Sequence, residues 1–399
     1  MRFLGFKVQG GASSEANVFA TLLGNRGDEF DARVAYHNWG KDDGLAKFRA
    51  RSRAEIIPID MGLRPGGLTP SAVSKVAAIL KYRSKFGKLI STARDYCPDV
   101  VYSSQQLWDS ALASAVGRAL DVPHVVHLHF NVGPWLSTGF SQTPRLLSAI
   151  RSSLRLSDPL DTIRSCAHVL AVSEFIRKQV IDFGVAPDRV TTLHNTMQPS
   201  SADKGARAGI RAQFAIDQDA VVLAHVGTLL QSKGQIETID AFSTLAAKYP
   251  RARMIVVGEG PARPQIESRI NHYGLHDRIT LTGQRSDVPD LLAASDIFAH
   301  PSLRDPFPLA VLEGLAAGLP VLAWDEGGIR EQIVNGETGF LLPTGDVRAL
   351  ANSLDSLLAD PDLRSQMGNK GREHLRLHCD PNQASVKFAH ILRQVVKRN

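Results

Sequence analysis

The chain is expected to fold as two doubly wound α/β domains in tandem, and three features of its 399 residues point there. Short β-branched runs alternate with helical apolar patterns through the first half. The same rhythm restarts in the second half, and a polar stretch without periodicity lies between the two. At about 150 residues per domain, the length also calls for more than one core.

The first strand candidate is RFLGFKV (residues 2–8), followed by a helix near 13–23 and by ARVAYH (32–37), DVVYSS (99–104), a helix near 109–120 and HVVHLHF (124–130). Strands spaced by helix-length segments make a parallel sheet wrapped by helices. The second series is AVVLAHVG (220–227), a helix near 234–248, RMIVVGEG (253–260), a helix near 262–273, ITLTG (279–283), DIFAHPS (296–302) and LPVLAWD (319–325). The stretch LHNTMQPSSADKGARAG (193–209) is rich in Ser, Gly and Ala, as linkers are. The expected domains are therefore 1–200 and 201–381, with a last helical pattern over 382–399 that crosses back onto the first. Open parallel sheets bind ligands beyond the carboxyl ends of their strands, so two such domains face to face would share a cleft.

Hydrophobic residues make up 43% and charged residues 22%, a globular composition that excludes disorder and collagen-like repeats. The net charge of +6 is compatible with anionic small molecules, acidic lipid headgroups or nucleic acid, and charge alone does not choose among them. Three scattered cysteines, Cys97, Cys166 and Cys379, give neither a disulfide framework nor a zinc cage and suit a reducing compartment. The N-terminal apolar stretch is broken by Lys7, and no run of roughly 18 apolar residues occurs, so a cytoplasmic or peripheral protein is expected.

Several motifs yield bland readings. VGEG (257–260) has two glycines of a dinucleotide fingerprint, but Arg263 stands where the third belongs. The pairs Asp217/Asp219 and Asp360/Asp362 have a metal-binding DxD spacing, yet both fall in turn-like contexts. His127 and His129 are expected on opposite faces of their strand, one in the core and one at the cleft, unable to chelate one ion together. His374 and His378 share a helix face without the Glu of a zinc protease motif and read as a solvated helix end. Basic residues at 75, 81, 83, 85, 88 and 94, and Arg145, Arg151 and Arg155, could attract acidic membrane or an anionic acceptor. No GxSxG elbow or P-loop is present.

The stretch DPFPLAVLE (305–313) fixes two acids around a helix start. Pro306 and Pro308 keep Asp305 and Phe307 out of helix, and Pro308 suits the first helical position, with the helix running to Gly318. Asp305 on the entry loop can accept hydrogen bonds from sugar hydroxyls, while Glu313 can grip two adjacent ribose hydroxyls. The free N–H groups between them face a diphosphate. In outline this fits a nucleotide sugar. Gly10 and Gly11, after the first strand, let the backbone approach a phosphate closely.

The ordered series LAVSEFI (170–176), VGTLLQSKG (226–234), VVGEGP (256–261), the stretch from LTGQRSD through DEGG (281–328) and NGETGFLLPTGD (335–346) resembles glycosyltransferase family 4 over most of the chain. That resemblance implies the GT-B fold, two Rossmann-like domains facing a cleft, and retaining transfer from a nucleoside diphosphate sugar to a hydroxyl acceptor. It implies no metal, no cofactor and no nucleic-acid partner. In the family signature of Glu, seven residues, Glu, Asp305 takes the first place and Glu313 the second. Lys233 matches the diphosphate-binding lysine, and His129 the active-site histidine near the donor sugar. Gly11, with Gly10, falls on the acceptor-side glycine loop. Donor contacts are expected along Gly227, Thr228, Gly258, Gly260, Gln284, Arg285, Arg304, Phe307, Pro308, Leu309 and Ala310. Thr228 replaces a customary arginine, for which Arg285 or Arg304 would compensate, and Pro308 replaces a glycine. A sugar-nucleotide epimerase or phosphorylase on the same fold, or a catalytically silent binding subunit, are the alternatives.

Overall fold

The computed structural model describes residues 1–7, 14–26, 28–36, 48, 52–58, 72–104, 107–132, 156–198, 202 and 205–398. The chain divides into two units, Met1–Asn195 with Pro381–Asn399, and Thr196–Asp380.

In the first unit, β1 (Arg2–Lys7), β2 (Asp31–Tyr36), β3 (Glu55–Pro58), β4 (Val100–Ser104), β5 (His124–Leu128), β6 (His168–Ala171) and β7 (Val190–Thr192) form one parallel sheet in the order β3-β2-β1-β4-β5-β6-β7. Its helices are α1 (Ser14–Gly24), α2 (Ala72–Tyr96), α3 (Leu107–Leu120), α4 (Pro159–Ser165) and α5 (Glu174–Asp182). β4, β5 and β6 are buried at every position, as strands sandwiched between two helical layers must be. Polar side chains start the helices: Asp158 accepts from Leu160 N for α4, with Pro159 at N1, and Ser173 accepts from Ile176 N for α5.

The second unit carries α6 (Ala206–Gln213), β8 (Val222–Val226), α7 (Gln235–Leu245), β9 (Arg253–Val257), α8 (Arg263–His272), β10 (Ile279–Gly283), α9 (Val288–Ala293), β11 (Ile297–Ala299), α10 (Leu309–Ala317), β12 (Val321–Trp324), β13 (Gly339–Leu342), α11 (Val347–Ala359) and α12 (Pro361–His378). The sheet is parallel, in the order β10-β9-β8-β11-β12-β13. Counted from its own first strand this is the 3-2-1-4-5-6 order of a dinucleotide-binding fold, which places the topological switch between β8 and β11. Leu223, Ile255, Phe298, Leu322 and Trp324 are buried along the sheet.

One further helix, α13 (Pro381–Arg398), belongs to the first unit and packs on α1. Its Phe388 is fully buried, 5.6 Å from Tyr102 and about 6 Å from Phe3 and Phe30, centroid to centroid. Edge-to-face clusters of this kind add to the burial of their area. Among the described residues no helix is long and apolar enough to cross a membrane.

Candidate functional site

The switch point of the second unit is where its chemistry collects. β8 runs out into Gly227 and Thr228, then into a 3-10 turn over Gln231–Lys233, and α7 starts behind Gly234. Gly234 has φ +79°, and a β-carbon there would lie 2.2 Å from Pro301 O. Glycine alone satisfies both the left-handed backbone and that contact. The loop after β11 is thereby clamped onto the loop after β8, with Leu303 N donating to Ser232 O at 2.8 Å and Ser302 Oγ to the same oxygen at 3.3 Å.

This clamp brings Lys233 onto Asp305, whose Oδ2 accepts from Lys233 Nζ, from Ser302 Oγ at 3.2 Å and from His300 Nε2 at 3.5 Å. Asp305 is 7% exposed and Lys233 27%. Burial opposes ionisation of Asp305, but the His300 hydrogen bond and the Lys233 charge outweigh it and hold the carboxyl well below the usual range. His300 is kept neutral mainly by its own burial, so its Nε2–H is the donor in this contact. The second carboxylate oxygen, Oδ1, makes no hydrogen bond among the described residues. Gly328 N fixes the Asp305 carbonyl at 2.9 Å.

α10 begins at Leu309, one residue later than the proline pattern predicts. Pro308 has ψ 128° and stands at the N-cap, its carbonyl accepting from buried Gln332 Nε2 at 3.0 Å. The helix ends at Gly318, in the left-handed conformation, and Arg372 Nη2 caps Ala317 O at 2.7 Å. In its second turn Glu313 accepts no hydrogen bond among the described residues, and burial pushes its carboxyl up to about 7. A half-buried acid without a donor is poised to receive one. Gly314 sets its depth: a β-carbon at Gly314 would lie 2.7 Å from Phe298 Cδ1, so the helix rests directly on β11.

The remaining donor candidates separate into groups. Gly227 N donates to Val257 O and Gly258 N to Gly283 O, and β-carbons at Gly258 and Gly260 would strike Gly227 O and Leu229 O at 2.0 and 2.4 Å. These glycines let the loops after β8 and β9 lie backbone against backbone. Thr228 and Gln284 are exposed. Arg285 is held by Asp287 in a two-bond fork of 2.8 and 2.6 Å, and exposed Arg304 lies 3.8 Å from Glu326, so neither touches the Lys233–Asp305 pair. The side chains of Phe307 and Leu309 are core, 2% and 8% exposed, leaving backbone as what they can offer a ligand; Ala310 is half-buried.

In the first unit, His129 follows β5 and is 5% exposed. It does not oppose His127: the two rings lie 4.0 Å apart. Residues two apart on a strand share a face, so the expectation of opposite faces is corrected by the strand's own period. His127 Nδ1 meets Tyr102 Oη at 2.8 Å, and burial pushes this imidazole down to about 3, so it is neutral. Gly10, Gly11, Arg145, Arg151 and Arg155 lie outside the described residues. No group of three His, Cys, Asp or Glu is arranged to hold a metal among the described residues. Asp360 caps α12 by accepting from Leu363 N, and Asp219 pairs with Arg251.

Sequence reasoning missed His300, Ser302 and Gln332, which orient Asp305 and Pro308. The run HPS before Asp305 was the available signal, since a histidine and a serine five and three residues from an acid fold back onto it in a tight loop. It also missed Arg211, fully buried, which donates to the carbonyls of Ala294, Asp217, Gln218 and Ala220 and to Asp296 Oδ2.

Residues 206–374 match the family profile described as glycosyl transferases group 1, and residues 10–196 that of the glycosyl transferase 4-like domain. The chain is 27% identical to alpha-D-kanosaminyltransferase of Streptomyces kanamyceticus over 70% of its own length and 72% of that protein's. It is also 27% identical to N-acetyl-alpha-D-glucosaminyl L-malate synthase of Bacillus anthracis, over 59% of each. Crystal structures of Anabaena HepE in complex with UDP or UDP-glucose superpose with TM-score 0.78 at 20% identity, covering 99% of this chain and 100% of theirs. With two Rossmann-like parallel-sheet units of the GT-B fold and both halves matched by its profiles, the chain belongs to glycosyltransferase family 4.

Proposed function

We propose that this glycosyltransferase moves a sugar from a nucleoside diphosphate donor to a hydroxyl acceptor, with retention of the anomeric configuration and without a metal. The observation that carries the reading is the Lys233–Asp305 pair at the β8/β11 switch, with the carboxylate of Glu313, unpartnered among the described residues, on the helix that follows.

Each group has work that its environment suits. The donor diphosphate brings negative charge to Lys233 and to the first amides of α10, whose aligned dipoles favour an anion. As the bond to the sugar lengthens, charge gathers on the departing phosphate, and fixed positive groups stabilise that state more than the ground state. Glu313 accepts hydrogen bonds from the two ribose hydroxyls. Asp305, kept ionised, offers Oδ1 to a hydroxyl of the transferred sugar. Pro308 has no N–H, so the donors in this design begin at Leu309. The named relatives transfer sugars and the superposed HepE binds UDP-glucose, which supports a UDP-sugar as the first donor to try. Exposed Arg83, Lys88 and Arg94 on α2 give an anionic acceptor, or one held at an acidic membrane, a basic surface.

The test is nucleotide release from a panel of UDP-, GDP- and ADP-sugars with alcohol acceptors, with product anomers read by NMR and the assay repeated in chelator. Turnover with retained configuration, undiminished by chelator and abolished in Lys233→Ala and Glu313→Ala, is expected. Inverted products, a rate lost to chelator, epimer formed without acceptor, or tight donor binding with no turnover across the panel would each overturn the corresponding part.

A further inference from the structure

A cavity of about 630 Å³ opens in the first unit at the edge of the sheet where the chain enters β5, β6 and β7. This is the edge opposite the strand ends at which a doubly wound domain takes its principal ligand. The three entry segments wall it, together with the last turn of α3 and the end of α13.

Its polar lining is unbalanced. Arg118, Arg189 and Arg398 contribute three guanidinium groups against the two carboxylates of Asp121 and Asp188, all of them exposed except half-buried Arg189. Arg189 is fixed by donating to Cys166 O at 3.1 Å and Arg164 O at 2.8 Å, and neither it nor Arg398 is within ion-pair distance of a carboxylate among the described residues. Two buried histidines, His124 and His168, stand between the arginines. His124 Nε2 is 2.9 Å from Ser103 Oγ, which in turn meets Ser110 Oγ at 3.1 Å. His124 Nδ1 is a buried atom with no hydrogen-bond partner among the described residues, and in the tautomer in which Ser103 donates to Nε2 it carries the ring proton. A buried N–H without an acceptor is costly, and a ligand oxygen would relieve it. Burial and then Arg118 push His124 down to about 3, and burial and then Arg398, opposed by Asp188, push His168 down to about 4.

We infer that this cavity is a second ligand site, built for a phosphorylated small molecule, with the phosphate oxygens among Arg118, Arg189, Arg398 and His124 and the carbon skeleton against Pro123 and Val395. Guanidinium forks match phosphate oxygens in pairs. The volume is in the range of small-molecule sites and far exceeds a bare phosphate ion, so the ligand carries an organic body. A free sugar phosphate and a phospholipid headgroup share this chemistry, and the experiment separates them.

The test uses the full chain bearing Lys233→Ala, so that the donor site does not contribute. Inorganic phosphate, ribose 5-phosphate and glucose 6-phosphate are titrated by calorimetry, and vesicles of phosphatidylcholine with or without phosphatidylglycerol are tested by co-sedimentation. A phosphorylated sugar that binds more tightly than inorganic phosphate, and is weakened about tenfold or more by Arg398→Ala, supports the site with a free ligand. Arg398 is exposed and makes no hydrogen bond among the described residues, so this variant is expected to fold. Vesicle binding that requires phosphatidylglycerol and is lost in the same variant supports it with the headgroup as the source. Absence of both, or binding that survives Arg118→Ala together with Arg398→Ala, overturns the inference.

Discussion

Replacing Glu313 by glutamine keeps the shape of the side chain and removes a charge that the folded protein holds against its preference. The carboxyl is pushed from 4.5 to about 7 by burial, with no donor among the described residues to compensate. At 1.36 kcal/mol per unit, the ionised form is disfavoured in the folded state by ~3 kcal/mol. The sign follows from the direction of the shift. A folded value above the unfolded one means that the penalty is absent below pH 4.5, grows as pH rises, and is complete above pH 7. Glu313→Gln should therefore gain up to ~3 kcal/mol over wild type at pH 8 and little at pH 4. For a unit of this size that is a midpoint increase on the order of 6–10 °C at pH 8. Thermal melts of both proteins across pH 4 to 8.5, followed by circular dichroism, measure it. A difference independent of pH, or a variant less stable at pH 8, would refute the reasoning. The same variant should bind donor 10- to 100-fold more weakly, on the order of one or two charge-assisted hydrogen bonds. Wild-type donor affinity should likewise fall as pH drops below 7, because a protonated Glu313 has given up part of its accepting capacity.

Three further outcomes follow from packing and charge. Gly314→Ala puts a methyl group 2.7 Å from Phe298 and should lift α10 off β11, costing ~1–3 kcal/mol in a denaturant titration and raising the donor KM along with it. Arg211→Met leaves four carbonyls without their common donor, while Asp296 keeps Arg207 and Val222 N, and should cost ~2–3 kcal/mol in chemical denaturation, with kinetic constants for the surviving folded protein unchanged. Asp305→Glu lengthens an acid that is 7% exposed and should change the ratio of kcat/KM between two epimeric UDP-sugars by about tenfold or more, whereas Asp305→Asn should depress kcat with all of them.

The alternation of β8 to β12 with their helices was legible because buried parallel strands are written as apolar runs punctuated by helix starts. Glu55–Pro58, His168–Ala171, Val190–Thr192 and Gly339–Leu342 were not: at three or four residues they carry too few positions for a period to show, and β11 and β12, no longer, were read only from their apolar runs and their place in the alternation. Asp305 and Glu313 stood out as acids around a proline-marked helix start and Lys233 through the family resemblance, but the contact between Lys233 and Asp305 depends on two loops meeting across β8 and β11, which no local pattern encodes. The glycines of VGEG illustrate the opposite limit. Glycine announces that something approaches the backbone closely, and the residues alone do not say whether that is a phosphate or, as here, another loop. Arg211 was invisible because a buried guanidinium looks like any surface arginine until its five donors find carbonyls.

The placement of α13 in the first unit also dictates an order of events during synthesis. The aromatic bed of Phe3, Phe30 and Tyr102 leaves the ribosome early, yet Phe388, which seals it, follows only after the entire second unit has been made. At the usual pace of translation those roughly 190 intervening residues take about 10–40 s. Throughout that interval the aromatic bed lacks its cover, so the core of the first unit is completed only after the second unit has been made.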